Sequence, residues 1–217
     1  MKKILALLAS TIIMSSCFAQ NDQINLLPMY GNIKKKPYQL KADKAFMDKA
    51  DKDFSNRKEG SEHYSKLAWG YYERGDLATA MKRFNQSWLL DSMNCQPYWG
   101  FGNITGIQGK AQESNKLLRK AIALGCTSPF IHEALASNGF EMFEKTKDSQ
   151  YLKEAEKSIQ ESLKADPKNA RAINQKAVNF YYLQRYDSAL VYINKAIKID
   201  SLVVNAAFVK DVKKKIK

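Results

Sequence analysis

Apolar positions from residue 61 onward recur at helical spacing and are cut into short pairs. In the stretch 61–94, SEHYSKLAWGYYERGDLATAMKRFNQSWLLDSMN, residues Tyr64, Leu67, Ala68 and Tyr71 stand at i, i+3, i+4 and i+7 and mark one helical face. Arg74-Gly75-Asp76 interrupts it: glycine supplies backbone freedom, and aspartate suits the cap of the next helix. Leu77, Ala80, Met81, Phe84 and Trp88 form a second stripe, and Asp91-Ser92 closes the stretch. The pattern predicts two short amphipathic helices joined by a tight turn.

The same marks return along the chain. Gly75 is followed 34 residues later by Gly109. A small residue recurs at Ala80, Ser114, Ala155 and Ala189, a large apolar one at Phe84, Leu118, Ile159 and Ile193, and a second small one at Ser87, Ala121, Ser162 and Ala196. The stretches end on Leu-Asp-Ser (90–92), Leu-Gly-Cys (124–126), Ala-Asp-Pro (165–167) and Ile-Asp-Ser (199–201). Self-similarity of this length, each period a helix–turn–helix, is the mark of a helical repeat array.

At these residues the chain resembles the tetratricopeptide repeat family, in its bacterial secreted or lipoprotein form. The resemblance covers four units, 61–94, 95–128, 129–169 and 170–203. It implies an all-α fold: a right-handed superhelical solenoid with capping helices at 41–60 and 204–217. The family favours small residues where helices approach closest. Those would be Ala68, Gly102, Ala136 and Ala177 on the first helices, with Ala80, Ser114, Ala155 and Ala189 on the second. Two departures stand out: proline ends the third unit alone, at Pro167, and that unit carries seven extra residues. The extra residues fit a longer turn, longer flanking helices or a contact loop.

The family's first helices line a concave groove for an extended peptide or a partner helix. Carried over by register, the groove would draw on Glu62, Ser65, Trp69 and Tyr72, then Trp99, Asn103 and Gly106. The third unit would give Phe130, Glu133, Ser137 and Phe140, and the fourth Arg171, Asn174, Val178 and Tyr181. The aromatics among them equally suit packing. Family members that grip a peptide's C-terminal carboxylate use lysine and asparagine where this chain has Ser65 and Trp69, so that clamp is not carried over.

The flanks add a location. Residues 1–16 read as a secretory leader: Lys2-Lys3, an apolar run from Ile4 to Met14, then small residues. The run is too short to span a bilayer. Met14-Ser15-Ser16-Cys17 resembles a relaxed bacterial lipobox, in which Cys17 is lipidated and becomes the mature N-terminus. Alternatively, Cys17-Phe18-Ala19 fits an ordinary signal-peptidase site, with a 1–19 leader and a soluble product. Either cleavage carries the chain out of the cytoplasm, to the periplasmic side of the envelope. Residues 17–40 read as a flexible linker with local order around Leu26–Tyr30, and Ala42, Phe46, Ala50 and Phe54 give the N-terminal cap its stripe. At the other end Val204, Phe208, Val212 and Ile216 recur every four residues among lysines.

Composition changes this picture little. The formal charge of +13 favours anionic partners in general, but an exported chain does not meet nucleic acid. Solvated lysine faces account for it as well. The two histidines, His63 and His132, have no companion at a metal-ligand spacing, and no phosphate loop or nucleophile motif appears. No metal, cofactor or enzymatic activity is expected. Cys95 and Cys126 sit at helix ends that antiparallel packing brings to one side. They suit either a disulfide, which needs Cα atoms within about 7 Å, or two separate thiols. The sequence thus predicts a protein- or peptide-binding module of the cell envelope, membrane-attached if Cys17 is modified. A scaffold for a surface complex and an accessory subunit of an enzyme are its alternatives.

Overall fold

The computed structural model describes residues 23–216. Among these are ten α-helices, three short 3-10 turns and no strand. The chain divides into two compact units between Phe101 and Gly102, inside one helix.

The first unit holds α1 (Pro37–Asp53), α2 (Arg57–Glu73), α3 (Leu77–Leu90) and the start of α4 (Cys95–Ile107). α1 begins earlier than the 41–60 cap because Pro37 takes its first position, where a missing N–H is harmless. It stops at Asp53, and Asn56 opens α2 by accepting from the Glu59 amide at 2.9 Å. Residues 57–60 therefore belong to the first repeat helix rather than to the cap. Phe46 and Phe54 pack edge-on against Tyr64, with centroids 5.1 and 6.3 Å away. The turn after α2 is the one the sequence implies: Gly75 takes φ 79°, and the Asp76 carboxylate accepts from the Thr79 amide at 3.0 Å.

The second unit holds the rest of α4, then α5 (Ala111–Ala123), α6 (Pro129–Thr146), α7 (Gln150–Ala165), α8 (Ala170–Tyr182), α9 (Tyr186–Ile199) and α10 (Ala206–Ile216). The extra residues of the third repeat lengthen α6 and α7. What joins them is a three-residue turn, 147–149, in which Lys147 takes φ 61°. No contact loop forms. Unit-closing aspartates fold alike: Asp91, Asp166 and Asp200 each accept from the amide two residues on, at 2.8, 3.0 and 2.9 Å. α10 follows a 3-10 turn at Ser201–Val203 and buries Val212 against Ala177, Ala189 and Ile193.

The register positions form the cores. Ala80, Ala155 and Ala189, with Phe84, Leu118, Ile159, Ile193, Ala121 and Ala196, are wholly buried, as are Ser87 and Ser162; Ser114 is nearly so. Ala68, Ala136 and Ala177 are equally inaccessible. Leu67, expected on the buried face of α2, is 39% exposed. Gly60, Ser61, Ser65 and Ala68 take its place, so the seam of the first repeat is lined by small and polar groups. Large side chains use the space: the Phe84 ring lies where a Cβ on Gly100 would sit, 2.2 Å from it, and Leu118 crowds Gly102 at 2.6 Å.

The segment read as a flexible linker is ordered from residue 23. Ile24–Leu26 and Pro28–Asn32 form two 3-10 turns, the second with Met29, Tyr30, Gly31 and Asn32 all at positive φ, from 51 to 70°. Ile24 and Tyr30 are buried. A left-handed run that includes non-glycine residues persists only where its surroundings hold it, and here the holder is Asn85 on α3.

Candidate functional site

The first-helix residues carried over as a groove fall into rows, and the rows have different fates. Ser65, Glu133 and Asn174 occupy one equivalent position, and all three turn inward. Each reaches the turn that closes its own repeat. Ser65 bonds the Ser87 hydroxyl at 2.7 Å and receives the Asn94 amide at 3.4 Å. Glu133 accepts from Asn169, whose amide also reaches the Ser162 hydroxyl. Asn174 donates to the Val203 carbonyl at 3.0 Å. In the first, third and fourth repeats this row ties the first helix to the end of its repeat, so Ser65, Glu133 and Asn174 are not partner-facing; the second repeat has Trp99 at this position, whose indole N–H makes no such bond among the described residues. Hydrophobic periodicity cannot reveal it, because the buried face is polar.

Burial pushes the Glu133 carboxyl above its ordinary pKa, against the pull of the Asn169 amide and Arg171. Glu156, on α7, goes the other way. Burial works against its ionisation, yet hydrogen bonds from Lys176, Gln160 and Asn179 outweigh it and hold its pKa below the usual range. Lys176 and Asn179 approach it at 2.9 and 3.0 Å.

A second row also serves packing. Phe140 is 9% exposed and joins Ala136, Leu152, Ala155 and Ile159. Tyr181 donates to Asp211 and meets the Phe208 ring at 5.5 Å. That hydrogen bond pushes the phenol up to about 12. In the outermost row, Phe130 is 49% exposed and Arg171 is exposed with its guanidinium 6.0 Å from the Phe130 ring. Ser137, also exposed, accepts from Gln175 at 2.9 Å.

In the first unit the predicted aromatics converge. The Trp69 ring meets Tyr72 at 5.4 Å, Phe84 at 5.1 Å and Trp99 at 4.5 Å, and its indole N–H donates to Gln96 at 2.8 Å. Phe84 belongs to the core, while Trp69, Tyr72 and Trp99 are half-buried. The cluster is anchored on Phe84 and Gln96, and its three rings remain partly accessible. Trp99's indole N–H is buried and has no acceptor among the described residues, and Asn103's buried side-chain oxygen likewise has no donor among them. A buried polar group left unpaired is costly, so such groups call for explanation.

His63 stacks edge-on with Tyr64 and tilts against Phe54; His132 lies half-buried, its pKa lowered by burial. His132 lines a cavity of about 560 Å³ with Arg119, Leu135, Lys153 and Glu154 among others, a mixed-charge cleft over α5, α6 and α7. Among the described residues no group of three His, Cys, Asp or Glu is placed to hold a metal ion, and no helix is long and apolar enough to cross a membrane. Cys95 and Cys126 are each disulfide-bonded. Cys17 lies outside the described residues.

No protein-family model and no curated protein sequence matches the chain. Solved structures do. PilF of Pseudomonas aeruginosa superposes with a TM-score of 0.54 at 17% identity, covering 67% of this chain and 63% of that one, so the chain spans under two thirds of PilF. A thermophilic TPR protein of Thermus thermophilus gives 0.58 at 13% identity over 65% of this chain and 75% of its own. MamA gives 0.52 at 17% identity over 72% and 87%. Likeness at such identity speaks to architecture, and it agrees with the repeat register and the buried small-residue positions: the chain has the tetratricopeptide-repeat fold.

Proposed function

We propose that this protein is a non-enzymatic interaction module that holds an extended peptide or a partner helix against the aromatic face of its first helices. The supporting observation is the Trp69–Tyr72–Trp99 cluster, half-buried and fixed from below by Phe84 and Gln96. Trp and Tyr dominate binding hot spots because each buries a large area with few rotatable bonds. Rings already locked by packing lose little entropy when a partner arrives. We place the module on the periplasmic side of the envelope, attached through Cys17, on the strength of the leader and the lipobox-like Met14–Cys17.

Two measurements test this. Affinity capture from an envelope extract with wild type and with Tyr72→Ala/Trp99→Ala should recover a partner with the first and lose it with the second, helical content unchanged. Equal recovery rejects the aromatic face. Mass spectrometry of the mature N-terminus should find an acylated Cys17. A product starting at Gln20 rejects the anchor and leaves the binding face standing.

A further inference from the structure

Asn85 is the least expected side chain in the first unit. It is wholly buried on α3, and its side-chain hydrogen bonds go to the backbone of a segment 55 to 60 residues upstream. Its amide nitrogen donates to the Asn25 carbonyl at 3.0 Å and the Leu27 carbonyl at 2.9 Å, and its oxygen accepts from the Tyr30 amide at 3.3 Å. Both donors and the acceptor are thereby used, so the side chain fits this backbone and leaves nothing over. The Tyr30 ring closes over the site, 6.4 Å from Trp88, and Lys35 caps that ring with its ammonium 3.2 Å from the centroid while pairing with Asp43.

The repeat supplies its own control. The positions equivalent to Asn85 are Arg119, Gln160 and Asn194, all exposed. This side of the second helix is therefore ordinarily open to solvent, and only the first repeat has it covered. Asn194 shows that asparagine alone does not bring a segment down. The covering needs the Asn25–Tyr30 backbone with the Tyr30 and Lys35 side chains.

We infer that residues 24–35 form a latch, kept closed by Asn85, that fixes the point on α3 from which the N-terminal tether departs. The consequence for reach rests on the Cys17 attachment proposed above. With the latch closed, Cys17 and Asn25 are eight residues apart, a span of at most about 28 Å. With it open, the free tether runs to Pro37, twenty residues and at most about 70 Å. The latch therefore decides whether the first unit is held close to the bilayer surface or ranges away from it.

The experiment uses the full mature protein in phosphatidylethanolamine–phosphatidylglycerol vesicles, comparing wild type with Asn85→Ala and with Tyr30→Ala, which opens the latch while leaving every residue of α3 in place. Trypsin cleavage at Lys34–Lys36 should accelerate about tenfold or more in both variants, since several buried hydrogen bonds or a buried ring are lost. Energy transfer from a dye on Ser55→Cys to labelled headgroups should fall in parallel. Wild-type cleavage rates in both variants overturn the latch. Faster cleavage with unchanged transfer overturns its control of reach. An unacylated Cys17 in the mass spectrum rejects the attachment instead, and the trypsin result still decides the latch.

Discussion

The first and third repeats close the same seam with different chemistry. In the first, Ser61, Ser65, Ser87 and Asn94 form a neutral network in which every connection is a hydroxyl or an amide. In the third, the equivalent place holds Glu133 with Ser162 and Asn169. The packing differs as well. The first repeat seats the Phe84 ring where a Cβ on Gly100 would lie, whereas the third gathers Leu152, Ile159 and Phe140 around Ala155, and a Cβ added at Gly139 would meet the Tyr151 carbonyl at 3.0 Å. One backbone plan thus accepts either a hydroxyl cluster or a buried carboxyl at the seam. What is kept is a hydrogen bond to the closing turn.

Substitutions separate the two solutions. Gly100→Ala should have the largest effect, about 3 kcal/mol of stability lost, because its Cβ would enter the wholly buried Phe84 ring. Urea denaturation measures it, and a loss under about 1 kcal/mol would mean the ring relaxes. Ala155→Leu in the third repeat should cost roughly 1–3 kcal/mol by overpacking against Ile159 and Phe140. An unchanged melting temperature would count against the register of the long repeat. Ser87→Ala should cost about 1–2 kcal/mol, since it leaves the Ser61 and Ser65 hydroxyls short of partners in a buried site.

The smallest effect is one of pH and concerns two carboxylates of the third repeat. The folded pKa of Glu133 is raised, so its contribution to stability is full below the ordinary carboxylate value and is lost as pH rises through the folded pKa. Glu133→Gln should therefore melt higher than wild type at pH 7, and the advantage should disappear near pH 4. Glu156 has the opposite sign: its folded pKa is lowered, so its contribution is present above the ordinary value and fades on acidification. Melting curves across this range on Glu133→Gln and Glu156→Gln should slope in opposite directions relative to wild type. Parallel curves would contradict the contrast.

The repeat was legible because helical periodicity and the small–large–small spacing are direct records of close helix packing. Ala80, Phe84 and Ser87 and their equivalents sit where that spacing puts them. Caps were legible for the same kind of reason, Asp76 after Gly75 being one. What escaped is polar. Ser65, Glu133 and Asn174 look like surface residues until the closing turn they reach is in place, so register alone put them in the groove. Leu67 misled in the opposite sense, an apolar residue left at the surface. Asn85 could not be read at all, because its meaning lies in a backbone segment some sixty residues away and in no side-chain pattern. Of the candidate face, Trp69, Tyr72 and Trp99 were identified by type and register, and the structure adds that they touch.

The measurement that bears most directly on the binding face is the affinity of a peptide, selected from a random library on wild-type protein, for wild type and for Tyr72→Ala/Trp99→Ala. Titration calorimetry should show affinity reduced about tenfold or more, with far-UV circular dichroism unchanged. The same affinity in both proteins would contradict a partner site on the aromatic face of the first helices.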